Sequence, residues 1–243
     1  MANPIAKKAL AISALALLMS GFRATAATDA QSLEALPPRD PNRPVALFVL
    51  DMLGDGYEFT SKADGVTFDV DGTAKPIQIG WTKAGSDEGF LFLDTNGNGR
   101  VDNGRELIGN GWRKDNGTRV YGGDEALNVI QGLDGYLPLG PVSQEMEHYA
   151  WIDTKDEAFS RLRVWCDTNH NGVSEPPELR TMGQANILKI FVGFALNKRV
   201  QDPTANTQLM VGTFYLNPPP GCIRQPGAPC EVARRMPFME FAR

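Results

Sequence analysis

The stretch D-T-N-H-N-G-V-S-E-P-P-E, Asp167–Glu178, sets the reading of this chain. It fits the loop pattern D-x-[DN]-x-[DN]-G-x5-E without a gap. Oxygen-bearing side chains stand at places one, three and five (Asp167, Asn169 and Asn171), so a curling backbone aims every second side chain at one centre. Gly172 at place six permits a sharp turn. Val173 at place seven offers its backbone carbonyl, Glu175 at place nine binds directly or through water, and Glu178 at place twelve closes the shell with two oxygens. Such a set supplies the six to eight hard oxygen ligands that Ca²⁺ takes at roughly 2.3–2.6 Å. The plain alternative is a surface turn, since Asn-Gly is a strong turn signal.

Outward from that loop, D-T-N-G-N-G-R-V-D-N-G-R-E repeats the pattern. Asp94, Asn96 and Asn98 hold places one, three and five, Gly99 place six, Arg100 offers its carbonyl at seven, and Asp102 stands at nine. The glutamate arrives one residue late, as Glu106. A helix beginning near Gly104 would swing it back, one residue being only 1.5 Å of rise. Two further stretches are reduced versions. In D-M-L-G-D-G (Asp51–Gly56) Leu53 stands where the third-place ligand belongs, leaving Asp51 and Asp55 to serve a neighbour; Asp69-Val70-Asp71-Gly72 is cut short by Thr73-Ala74-Lys75-Pro76.

The chain begins with Lys7 and Lys8, an apolar run from Ala9 to Gly21, and Ala24-Thr25-Ala26, the build of an export signal cleaved after Ala26. The run is too short for a comfortable membrane span, so the mature protein is expected without one. Removing residues 1–26 deletes Lys7, Lys8 and Arg23 and no acid, which moves the formal charge from −5 to −8. An acidic chain argues against nucleic acid or an anionic membrane as partner and suits one that gathers divalent cations. In an oxidising compartment Cys222 and Cys230 are the natural pair, and Cys166 is left over as a small buried residue at a strand end.

Residues 27–44 read as a flexible, Pro-bearing lead-in. Short apolar runs then read as strands: Val45–Leu50, Val66–Gly72 as a strand running into a carboxylate turn, Ile77–Trp81 and Phe90–Leu93. Asp124–Leu133 and Ser143–Trp151 have helical spacing, Ala158–Trp165 passes from a helical turn into a strand, and Glu178-Leu179-Arg180-Thr181-Met182 reads as a short helix. Beyond Ile187 two long strands flank D-P-T-A-N as a hairpin. A last strand, Met236–Phe241, is assigned to a sheet edge because of Pro237.

The succession L-D-M-L-G-D-G, F-D-V-D-G, F-L-F-L-D-T-N-G-N-G-R-V-D-N-G-R-E and V-W-C-D-T-N-H-N-G-V-S-E-P-P-E resembles the EF-hand-like calcium-binding region found beside hemolysin-type (RTX) repeats in bacterial secreted proteins. The resemblance spans Val45 to Ile190. It implies acidic strand–loop–helix units that bind calcium outside the cytoplasm, and it makes the late Glu106 the family's own form of the loop. Two features depart from it: W-I-D-T-K-D-E lacks a glycine turn, and the glycine-rich nonapeptide repeats are missing. The expected fold is therefore α+β, with calcium-loop units over residues 45–190 and a β-rich extension with a disulfide loop over 191–243.

The expected function is that of an exported calcium-binding protein or module, with Ca²⁺ stabilising the fold through two loops and no partner specified beyond the ions. Two other readings stand beside it: a secreted hydrolase with structural calcium, and a metal-independent interaction protein. No G-x-S-x-G, H-E-x-x-H or phosphate-cradling glycine loop is present. Of the two histidines, His170 at place four should point to solvent and His148 lies on an amphipathic stretch; a Cys166–His170 dyad is conceivable, yet the loop geometry would divert both residues.

Overall fold

Val45–Leu50 (β1) is buried along its whole length, and its side chains alternate between two interiors, as a strand with period two must. Ala46, Phe48 and Leu50 pack into one core with Leu91, Leu93 and Phe238. Val45, Leu47 and Val49 face a second core with Trp81, Phe90, Phe92 and Trp165. A strand apolar on both faces has to lie inside a sheet covered on both sides, and β1 does. The computed structural model describes residues 45–112, 151–220 and 232–243.

Its other strands are β2 (Val66–Phe68), β3 (Ile77–Ile79), β4 (Gly89–Leu93), β5 (Trp151–Ile152), β6 (Leu162–Trp165), β7 (Leu179–Thr181), β8 (Ile187–Gln201), β9 (Thr207–Leu216) and β10 (Val232–Phe241). They form a curled eight-stranded sheet in the order β5-β8-β9-β10-β1-β4-β6-β7, and β2 pairs with β3 in a separate ribbon. All the pairings are antiparallel. β4 and β6 run Phe90 opposite Trp165 to Leu93 opposite Leu162. The loops that follow them, 94–106 and 167–178, therefore leave opposite ends of the pair.

This architecture corrects the α+β expectation. Among the described residues the one α-helix is Glu157–Arg161 (α1), which runs straight into β6. The helix expected from Glu178 is a single 3-10 turn, Pro176–Glu178, followed by strand. Leu179 and Thr181 pair with Trp165 and Arg163, so five residues, four of them good helix formers, give way to a ladder, as short helices without packing do. No helix starts at Gly104 either. Its N–H donates to the Asp69 carbonyl at 2.8 Å, and a Cβ there would stand 1.9 Å from the Val70 carbonyl oxygen. The chain turns against Val70 and rejoins the sheet through bridges from Leu107 to Phe92 and from Gly109 to Leu47.

The expected hairpin is present as β8 and β9. β10, by contrast, lies between β9 and β1 and not at an edge. Pro237 is tolerated there because the β1 ladder stops at Phe48 opposite Phe238, next to a bulge between Phe238 and Met239. Residues 124–133 and 143–150 of the two expected helices, His148, and the Cys222–Cys230 pairing lie outside the described residues.

Phe48 is fully buried and its ring centroid lies 4.7 Å from that of Phe238. Phe48→Ala is expected to cost about 3–5 kcal/mol, read as a lowered denaturant midpoint with an unchanged slope.

Candidate metal centre

The chain places a carboxylate directly after two of its most apolar strands, Asp94 after β4 and Asp167 just past β6. Each then folds the next residues around itself. In the loop 167–178, Asp167 Oδ1 accepts the Asn171 N–H at 3.1 Å and Oδ2 the Gly172 N–H at 2.8 Å. In the loop 94–106, Asp94 Oδ1 accepts the Asn98 N–H at 3.2 Å and Oδ2 the Gly99 N–H at 2.9 Å. The place-six glycines accordingly sit at φ +70° (Gly172) and +74° (Gly99), left-handed values that cost glycine nothing.

The correspondence extends through both loops. The place-three oxygen accepts from the place-five N–H at 3.0 Å (Asn96) and 3.1 Å (Asn169). The place-five oxygen accepts from place seven at 2.9 Å (Asn98 from Arg100) and 2.7 Å (Asn171 from Val173). Both amides of each loop donate to the place-nine carboxylate: Asn96 and Asn98 to Asp102 at 2.7 Å each, and Asn169 and Asn171 to Glu175 at 3.3 and 2.7 Å. These bonds, the Asn171 one first, hold the Glu175 carboxyl below the usual range.

The late glutamate is equivalent to the regular one. Glu106 Oε1 accepts from the Thr95 N–H and hydroxyl at 3.2 and 3.1 Å, and Oε2 from the Asp102 N–H at 3.0 Å. Glu178 Oε1 accepts from the Thr168 N–H and hydroxyl at 3.0 and 3.1 Å, and Oε2 from the Glu175 N–H at 3.4 Å. The extra residue is absorbed by the turn at Gly104. The two loops touch at place eight, where the Ser174 hydroxyl accepts the Val101 N–H at 2.8 Å and lies 3.2 Å from the Val101 carbonyl.

Each of the two full loops thus forms a cup of the same hydrogen-bonded build, although among the described residues the acidic groups whose oxygens all lie within 4.8 Å of one another are Asp51, Asp55 and Asp87, not the three carboxylates of either loop. The donor set is all hard oxygen, carboxylate and amide with one backbone carbonyl per loop, which fits Ca²⁺ and not a soft metal. Asp167, Glu106 and Glu178 are 2, 3 and 4 % exposed, while Asp102, Asn96, Asn98, Asn169 and Asn171 are exposed.

The reduced loops begin in the same way. Asp51 Oδ2 accepts from the Gly56 N–H at 3.3 Å and Asp69 Oδ2 from the Ala74 N–H at 2.7 Å; Gly56 and Ala74 have φ +120° and +56°. Leu53 is 66 % exposed, so the missing third ligand is a side chain turned to solvent. Asp51, Asp55 and Asp87 bring carboxylate oxygens within 4.8 Å of one another. Asp87, 36 residues along the chain from Asp51, has no sequence signal. Burial, then Asp87 and Asp55, push the Asp51 carboxyl up against the backbone bonds from Gly54 and Gly56.

Three other residues were not legible. Trp81 Nε1 donates to Asp167 Oδ2 at 2.8 Å and Trp165 Nε1 to Glu178 Oε2 at 3.3 Å. His170 is half-buried and not free in solvent: Nδ1 lies 2.5 Å from the Thr82 carbonyl and Nε2 2.7 Å from that of Asp64. Cys166 is buried with Sγ 3.8 Å from the Asp87 carbonyl, and burial pushes its thiol up to about 11. The Cys166–His170 dyad is therefore not assembled.

The family model that matches the chain is the SPM domain, over residues 48–217, and no EF-hand or RTX-repeat family is found. The match covers more than half of the 243 residues, and the chain belongs to the SPM-domain family. It is also similar to the iron-regulated protein FrpA of Neisseria meningitidis serogroup C, at 33% identity over 168 residues. Those residues are 68% of this chain and 14% of that protein. Both oxygen-lined loops fall within the matched span.

Ser174→Ala removes the place-eight clasp and leaves the buried Val101 N–H unpaired, which is expected to cost about 1–3 kcal/mol by chemical denaturation. A second expectation concerns Glu88, 1 % exposed, with Oε1 accepting the Glu58 N–H at 2.9 Å and Oε2 unpartnered. Burial raises its carboxyl, so the folded state holds that proton to higher pH than the unfolded chain. Its contribution to stability therefore falls as pH rises through the raised value. Glu88→Gln should raise the Tm at pH 7 and make no difference near pH 4.

Proposed function

We propose that this member of the SPM-domain family is an exported calcium-binding module, in which two ions brace the loops 94–106 and 167–178. The single observation that carries the reading is the hydrogen-bond pattern that those loops share at places one, two, three, five, six, seven and nine and at the closing glutamate. Two segments of different length, closing on Glu106 and Glu178, reach one winding of the backbone about their carboxylates. A turn needs only its first Asx bond; it does not need a glutamate drawn back across eleven or twelve residues.

Asp94, Asn96, Asn98, Asp102, Glu106 and the Arg100 carbonyl would hold one ion. Asp167, Asn169, Asn171, Glu175, Glu178 and the Val173 carbonyl would hold the other. Bound calcium supplies the positive charge that lets carboxylates of one cup stay ionised side by side. The leader of residues 1–26 suits delivery to a compartment where calcium is millimolar. There, with a Kd near 10⁻⁴ M as in extracellular modules, each site would add about 1.4 kcal/mol of folding stability. That is a large share of a marginal fold.

Thermal unfolding in EDTA, then across a calcium titration with magnesium as control, tests this. A calcium-specific rise in Tm is expected, reduced by Glu106→Gln and by Glu178→Gln and abolished when both are changed. A Tm indifferent to calcium would leave the loops as turns and overturn the reading.

A further inference from the structure

The two cups share one framework but not one setting. Around Asp94 the donors are backbone N–H groups of its own loop: Gly97, Asn98 and Gly99. Asp167 receives a donor from outside, the Trp81 indole, 86 residues away along the chain. Glu178 receives a second, the Trp165 indole. Both indoles are fully buried. Their rings lie 5.7 Å apart at 62°, an edge contact, and both pack on Phe68 and Phe90. The first and last ligands of the 167–178 loop are thus gripped by a rigid aromatic block in the core, where a hydrogen bond to an ionised group is worth more than in water. The Asp94 and Glu106 carboxylates take their bonds from within their own loop.

We infer that Trp81 and Trp165 are positioning residues for calcium. Their N–H groups preset the Asp167 and Glu178 carboxylates, so that the 167–178 loop fills ahead of the 94–106 loop. The inference rests on the calcium reading above and adds a rank order and two residues to it. The Trp81 bond also fixes how Asp167 binds. With Gly172 and Trp81 both on Oδ2, that oxygen has its acceptor sites filled, and Oδ1, which accepts from Asn171, is the oxygen that would meet an ion. Donors behind a ligand orient it, and their removal typically lowers metal affinity 10–100-fold.

The test is a calcium titration of the full chain by calorimetry, followed in parallel by ¹⁵N-resolved NMR of the indole N–H groups. Two sites should differ in affinity by tenfold or more. The Trp81 and Trp165 N–H resonances should move with the first equivalent and stay still with the second. Trp81→Phe, which keeps a ring in the core, should weaken the tighter site about 10–100-fold and leave the weaker site unchanged. If that variant does not fold, Trp165→Phe serves in its place, and the wild-type resonances alone give the filling order. Indole resonances that move with the second equivalent, or a tight site indifferent to both variants, would overturn the positioning role with calcium binding intact. No heat and no shift would sink the calcium reading and this inference together.

Discussion

A carboxylate buried at the edge of an aromatic core is the constraint on which this structure turns. Asp167 and Glu178 are all but inaccessible, yet an ionised group out of water is costly unless its oxygens are met by donors. The chain meets them with backbone. Places two, three, five, six and nine each turn an N–H inward onto one of these two carboxylates, and the left-handed residues at places four and six are what such a winding demands. The loop is thus a solution to a solvation problem, in which backbone N–H groups take the place of water around two buried carboxylates.

The sheet supplies the fixed frame for that winding. β1 divides its side chains between two cores, so neither core can shift without disturbing the other, and β4 and β6 inherit this rigidity by pairing beside it. Each hands its chain directly to a place-one aspartate. Because these two strands are antiparallel, the loops set out from opposite ends and meet again at Val101 and Ser174. A single hydroxyl, that of Ser174, joins the two loops there.

What could be read from the sequence follows from range. The apolar strands were legible because period-two burial is local, and the two matching loops because their spacing is local. The late Glu106 was legible as the residue that closes its loop, though the means of its return, a turn pressed on Val70, was not. The helices attached to the loops failed for a definite reason. Flanking helices belong to the loop pattern elsewhere, whereas here Leu179 and Thr181 had an open strand beside them and took it. Trp81, Asp87 and the environment of His170 depend on segments brought together from scores of residues apart, and no spacing rule reports such meetings. Pro237 misled because an interior strand can end its ladder on one side while continuing it on the other.

Place seven holds one more consequence. Its backbone N–H bonds to the place-five side chain in both loops, while its side chain lies in solvent: Arg100 is exposed and Val173 is 58 % exposed. A guanidinium and an isopropyl group therefore give the two rims different surfaces over the same backbone bond. Inner chemistry and outer chemistry are separable at this one residue. The protein's exterior is free to drift there, and a fluorophore attached at either rim would sit about one residue from the cup without replacing any atom that lines it.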